Sequence, residues 1–214
     1  MSDEPKSDRR GGRAARRASR SNVAKHPSLS PNIIRQIPLT ELCSLEGLEI
    51  VEANAETVLE EIGIDFKGDN EIIALWRNAG ADVDGERVRF PKGLVPSLLK
   101  TVPETYVQHA RNPSRNVTFG GNNVIFAPVY GPPFVHDLDE GRRYGKIADF
   151  ENLVRLAYVA PDIHHSGGTV CEPVDIPINK RHLNMVYAHM RLSDKPFMGA
   201  VTATERAADT VEMC

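Results

Sequence analysis

Residues 149–168 read DFENLVRLAYVAPDIHHSGG, and the fold class turns on this stretch. Asp149 is a good N-cap type, and Phe150, Leu153, Leu156, Ala157 and Ala160 follow at three- and four-residue steps, the spacing of one helix face. Pro161 ends that helix, because proline lacks the N–H and its ring crowds the preceding turn. Ile163-His164-His165-Ser166-Gly167-Gly168 then predicts a short strand running into a loop. Downstream, Asn179 opens a helix through Leu183, Val186 and Met190, and Pro196–Val201 is a further short strand. Thr202 and Glu205 have capping-box spacing ahead of a last helix. Strands near 124–128, 163–167 and 196–201 thus alternate with helices at intervals of roughly 30 residues, the size of a βαβ unit. Alternation of this kind predicts parallel strands with crossover helices: an α/β fold, specifically a partial (β/α)8 TIM barrel.

Working outward, the N-terminal side has a different texture. Leu45, Leu48, Val51, Ala55, Val58, Leu59 and Ile62 predict a helix stopped by Gly63, and Asp69 caps a second helix carrying Ile72, Ile73, Trp76 and Ala79. Asp84-Gly85 is a turn between short extended pieces, and Pro91–Leu99 reads as a third helix. Tyr106–Ala110, Val117–Phe119 and Asn123–Ala127 are short β-type runs. The expected organisation is a disordered basic leader over 1–31, a helical lead-in with short strands over 32–119, and the first βα units of the barrel over 120–214. A complete barrel takes about 250 residues, so the reading expects the barrel to be truncated at Cys214.

The chain has 214 residues, 41% of them hydrophobic and 26% charged. Its mean hydropathy of −0.34 is that of an ordinary globular protein. No run approaches the ~18 apolar residues of a membrane span, and no secretory h-region is present. Three scattered cysteines fit neither a disulfide framework nor a zinc site, and point to a reducing cytoplasm. Residues 1–25 carry eight Lys/Arg against three Asp/Glu, while the whole chain is −3. With no aromatic residue interleaved and an acidic body behind it, this basic run reads as a solubilising tail and not as a nucleic-acid arm.

Walker, GxGxxG, HExxH and GxSxG patterns are all lacking. The most informative segment is Ala127-Pro128-Val129-Tyr130-Gly131-Pro132-Pro133-Phe134-Val135-His136-Asp137, followed by the charged Leu138–Arg143. It comes just after a strand, which in a barrel is the face where active sites are built. Its length suits a binding wall or lid, or equally a surface loop packed on the barrel rim. The loop that begins at His164-His165 continues through Cys171, Glu172 and Asp175. Successive strand residues point to opposite sides, so only one of the two histidines faces a pocket and paired metal ligation is not expected. His182 and His189, seven apart on a helix, read as outer-helix residues without a catalytic role.

The run Pro128–Pro133 through Asp139-Glu140-Gly141-Arg142-Arg143 resembles the trimethylamine:corrinoid methyltransferase family. So do Asp149-Phe150, Pro173-Val174-Asp175-Ile176-Pro177, Asp194-Lys195-Pro196-Phe197-Met198, the leader Arg10-Gly11-Gly12-Arg13 and the helix end Glu61-Ile62-Gly63-Ile64. The resemblance implies a barrel enzyme that moves a methyl group from a methylated amine, trimethylamine or a quaternary amine such as glycine betaine, to a corrinoid. The corrinoid (cobalamin) would be carried by a cognate partner protein and not bound tightly by this chain. Some members use pyrrolysine and others do not. The expected partners are that corrinoid protein and a small methylated amine, with no nucleic acid or membrane, and a homo-oligomer is compatible. Aromatic faces attract such cations and carboxylates add complementary charge. The substrate-binding candidates are therefore Tyr130 and Phe134 as aromatics, Asp137, Glu172 and Asp175 as acids, and His165 to orient a substrate carboxylate. Catalytic residues and metal ligands are not assigned. The competing readings are another barrel enzyme, a lyase or hydrolase using histidine and rim acids, or a non-catalytic truncated remnant.

Overall fold

The computed structural model describes residues 33–214, so the basic leader lies outside the described residues. In chain order the elements are β1 (Ile33–Ile34), α1 (Leu45–Glu61), β2 (Ile64–Asp65), α2 (Asn70–Asn78), β3 (Asp82–Asp84), β4 (Arg87–Arg89), α3 (Leu94–Leu99), β5 (Thr105–Gln108), β6 (Val117–Gly120), β7 (Asn123–Val124), β8 (Phe134–Asp137), β9 (Gly141–Tyr144), α4 (Ile147–Val159), α5 (Ile178–Leu192) and α6 (Thr204–Met213). They divide into two compact units, residues 35–106 with 120–122, and residues 33–34, 107–119 and 123–214.

The smaller unit follows local rules closely. Ser44 Oγ accepts from Gly47 N at 3.1 Å at the start of α1, and Asp69 Oδ1 accepts from Ile72 N at 3.0 Å at the start of α2. Each side chain satisfies a backbone donor that the first turn leaves without a helical partner. Gly63 ends α1 with φ 72, and a Cβ there would lie 2.2 Å from the Val88 carbonyl oxygen, so both conformation and space demand glycine. The strands pair in the order β2-β4-β3, antiparallel, with Gly85 in the turn. Val88, Phe90 and Ala81 form the core, with Leu59, Phe66 and Trp76 packed against them. Trp76 meets the Phe90 ring edge-on at 4.9 Å. The apolar positions Leu45, Leu48, Val51 and Val58 of α1 stand exposed.

In the larger unit, Phe150 and Val154 of α4, Met185 and Ala188 of α5, and Val170, Cys171 and Ala200 between helices make one buried cluster. Basic side chains finish the helices. The ammonium of Lys195 donates to the carbonyls of Ala157, Ala160 and Ile163 at 2.7, 3.0 and 2.6 Å, at the C-terminal end of α4. Arg111 donates to the Met190 and Ser193 carbonyls at the end of α5. A cation at either place meets both the free carbonyls and the negative end of the helix dipole. Arg115 is buried and pairs with Asp194 at 2.6 Å.

Several expectations need correction. Of the three expected strands, only Asn123–Val124 is a strand, and it pairs antiparallel with β1. Segments 163–167 and 196–201 hold no regular ladder. They do run alongside each other in one direction: Ser166 N donates to Pro196 O and Met198 N to Gly167 O, each at 2.8 Å, and His164 N donates to Phe126 O at 2.9 Å. Parallel strands exchange bonds in this sense, since both partners advance together. Among the described residues the structure is mixed helix and strand in small sheets. The charged stretch expected to be a loop is a β-hairpin, β8 against β9, with Gly141 at φ 68. Arg143 decides this: it reaches Asp149 at 2.6 Å, Glu140 at 2.7 Å and Asp137 at 2.9 Å, which folds the hairpin onto the start of α4. Asp149 consequently sits at the third position of α4, not as its cap, and accepts from Lys146 N at 2.8 Å. Helix α5 starts at Ile178, after Pro177. Helix α6 starts after Ala203 without a side-chain cap, and Thr202 instead bonds Arg206. His182 and His189 are buried, on the inner face of α5.

Lys195→Met keeps the aliphatic stem but leaves three carbonyls without their donor. We expect a loss of roughly 2–4 kcal/mol, read as a lower urea midpoint at unchanged slope. Unfolding indistinguishable from the parent would contradict this capping role.

Candidate functional site

The adjacent segments at 126, 164–167 and 196–198 each lead into a loop: Pro128–Pro133, Gly167–Thr169 and Met198–Gly199. These loops meet. Gly131 N donates to Thr169 O at 2.6 Å, and the Tyr130 hydroxyl donates to Met198 Sδ at 3.4 Å. A Cβ on Gly168 would stand 3.1 Å from Tyr130 Cε1 and 3.3 Å from the Met198 carbonyl oxygen, so the ring packs closely over this glycine and would have to shift for a larger residue. Gly167 has φ 94, and a Cβ there would come 2.7 Å from Val170 Cγ1. Tyr130 remains 45% exposed and Met198 52% exposed, so the pair forms an open lip.

Beneath the lip lies a buried polar layer. His165, 1% exposed, accepts from Gly167 N through Nδ1 at 2.9 Å, and its Nε2 contacts Gln108 Oε1 at 3.1 Å. Because an amide N–H only donates, Nδ1 is the acceptor and Nε2 carries the proton. Gln108 Nε2 in turn donates to Phe197 O at 3.0 Å. His189 holds the same tautomer. Its Nε2 meets the Gly168 carbonyl at 2.8 Å, so it carries the proton there, and its Nδ1 accepts from the Ser166 hydroxyl at 2.9 Å. The His189 ring stacks on Phe197 at 5.2 Å and meets Phe150 edge-on. His164 Nδ1 accepts from Phe126 N at 3.1 Å. Burial, with the neighbouring His189 adding to it, pulls His165 down to about 4, and burial lowers His189 as well. Both rings are neutral near pH 7.

The six residues expected from sequence fall into distinct settings. Tyr130 alone lies on the open lip, and burial of its phenol raises its pKa. Phe134 packs on Tyr144 at 4.6 Å and has the Arg142 guanidinium 3.7 Å over its ring. Asp137 accepts from Asp139 N and Glu140 N and pairs with Arg143. The backbone bond from Glu140 is the main cause that holds its carboxyl below the usual range. Glu172 pairs with Arg181 at 3.0 Å, and Asp175 accepts from Ile147 N at 2.9 Å at the start of α4. Each of these three acids therefore has a structural partner. His165 has both ring nitrogens engaged within the fold. Sequence reasoning missed Met198 as the neighbour of Tyr130, and Ser166, His189 and Gln108 as the supports beneath. Only tertiary contacts bring these together: Gln108 and His165 are 57 positions apart. Among the described residues no group of three or more His, Cys, Asp or Glu could hold a metal ion. No helix there is long and apolar enough to cross a membrane.

Comparison with known proteins gives two findings. The family model for trimethylamine methyltransferase (MTTB) matches residues 9–214. A glycine betaine methyltransferase from Desulfitobacterium hafniense (strain Y51) is 41% identical over 177 residues. That match covers 83% of this chain and 37% of the relative, so the chain spans well under half the length of the protein it matches.

A depressed imidazole makes folding pH-dependent with a definite sign. The unfolded chain binds the His165 proton near 6.5 and the native state near 4. Stability from this burial is complete above about 6.5 and is lost as pH falls toward 4. We expect about 2 kcal/mol from this residue to be gone at pH 5, seen as a falling urea midpoint between pH 7 and pH 5. His165→Gln should flatten that dependence; an equally steep decline in the variant would contradict the assignment.

Proposed function

We propose a function on one plain premise: this chain belongs to the trimethylamine methyltransferase (MTTB) family. On our reading the whole protein takes a methyl group from a quaternary amine, with glycine betaine the first candidate, and passes it to a corrinoid held by a separate carrier protein. The 41% identity to a glycine betaine methyltransferase supports the choice of amine. We also read the segments at 126, 164–167 and 196–198 as the first three strands of a (β/α)8 barrel. Their same-direction hydrogen bonds and the helices α4 and α5 between them support that reading. A cytoplasmic setting fits the cysteines, since Cys43, Cys171 and Cys214 are all free thiols.

The observation that carries the proposal is the half-exposed Tyr130 ring on a lip where three loops converge. A quaternary ammonium offers no hydrogen bond from nitrogen, so it is recognised by polarizable faces, aromatic ones above all. Its methyl leaves only when attacked in line by a strong nucleophile, while the amine departs neutral. The corrinoid, when its carrier docks, supplies that nucleophile at cobalt. What this chain contributes is placement: the tethered loops hold the cation in one orientation, which converts a bimolecular encounter into a positioned one. We assign the cation contact to Tyr130. Asp137, Glu172 and Asp175 add negative charge to the same unit while held by their structural partners. Phe134 supports the neighbouring hairpin beneath Arg142, and His165 anchors the turn. The Ser166–His189 pair does not favour a hydrolase, because both side chains are fully buried and the serine hydroxyl has no access to a substrate.

The test is demethylation by the full-length protein with its corrinoid carrier, or with reduced free cobalamin, across glycine betaine, tetramethylammonium and trimethylamine. We expect turnover of a quaternary amine, with the demethylated amine and methylcobalamin formed in equal amounts. Absence of methyl transfer from every amine in the panel would overturn the proposal.

A further inference from the structure

We infer that Met198 is a positioning residue for the amine site, fixing the Tyr130 ring through its sulfur and presenting a second soft wall to the N-methyl groups. The inference rests on the reading given under Proposed function and names a residue that reading does not use.

Three independent ties set this geometry. The Tyr130 hydroxyl donates to Met198 Sδ at 3.4 Å, which removes rotational freedom from the phenol end. The opposite side of the residue is fixed by its backbone, since Gly131 N donates to Thr169 O. The Cδ1–Cε1 edge of the ring rests over Gly168, where any Cβ would come within 3.1 Å. Met198 is tied to the same turn, donating its N–H to Gly167 O at 2.8 Å. The two side chains are thus held from one short backbone segment, yet each keeps about half its surface open. Thioether and aromatic faces are both polarizable and make favourable contacts with one another. Together they suit a cation whose outer surface is entirely methyl, and neither side chain demands a hydrogen bond in return. A carboxylate would serve a protonated amine better, but those of Asp137, Glu172 and Asp175 are already engaged.

The experiment uses the full-length protein labelled with 13C-tyrosine, with the Tyr130 resonance identified by its loss in Y130F. Titration with tetramethylammonium should move that resonance. M198L, which keeps the volume and removes the sulfur, should weaken binding roughly three- to tenfold while leaving the urea midpoint unchanged. In turnover with glycine betaine, KM should rise by a similar factor with kcat nearly constant, and the Y130F and M198L effects should be less than additive. A Tyr130 resonance unmoved at saturating tetramethylammonium, or wild-type affinity in M198L, would overturn the inference. If turnover is absent for every amine but the Tyr130 shift and its M198L dependence hold, the proposed reaction fails and this site stands. If turnover is normal and Tyr130 is silent, the methyl-transfer reading stands, and this inference falls together with the assignment of the cation contact to Tyr130.

Discussion

Two neutral imidazoles hold the backbone between Ser166 and Gly168, and the open lip hangs from that segment. His165 takes the amide proton of Gly167, and His189 gives its proton to the Gly168 carbonyl. A buried backbone group left without a partner costs more than a typical hydrogen bond returns, so these two contacts oblige the turn to stay in one shape. The turn in turn binds Met198 from below and bears the Tyr130 ring above. Rigidity at a recognition surface is useful because a loose site loses entropy each time it is filled.

The charged residues of the larger unit work mostly on structure. Arg143 gathers Asp137, Glu140 and Asp149, Arg181 takes Glu172, Arg111 closes α5, and Lys195 closes α4. Burial draws the Lys195 ammonium down to about 8, and the three carbonyls around it each accept one of its protons. What is left at the lip is soft and largely uncharged. The quaternary-amine substrate proposed above would suit such a surface, because a permethylated cation gains from polarizable faces what it cannot gain from hydrogen bonds.

Much of the local structure was legible. Asp69 caps its helix as its residue type predicts, Gly63 stops the helix before it, and Asp84-Gly85 turns the chain. Each of these depends on neighbours within four positions. The hairpin over 134–144 was not legible, because a run of Asp, Glu and Arg looks like a solvated loop until Arg143 meets Asp149 from the next helix. The orientation of His182 and His189 was missed for a related reason. Helical spacing groups residues on a face but does not say which face is covered, and a histidine can be buried once a ring nitrogen finds a partner, as with Asp209 for one and Ser166 for the other. Of the candidate site, the structure leaves Tyr130 on an open loop, whereas the loop acids are held in ion pairs or by backbone.

The sequence by itself determined where the helices lie, the cap at Asp69 and the stop at Gly63, the family, and the loop that carries Tyr130. These are short-range properties: propensity, periodicity and turn chemistry act between residues a few positions apart. Only the tertiary structure decided which side chains of those loops are free and which are committed, that Met198 stands beside Tyr130, and that Gln108, Ser166 and His189 support the turn between them. Those contacts join residues from 21 to 68 positions apart. Buried polar groups must find partners wherever the packed chain offers them, and no local pattern records where that is.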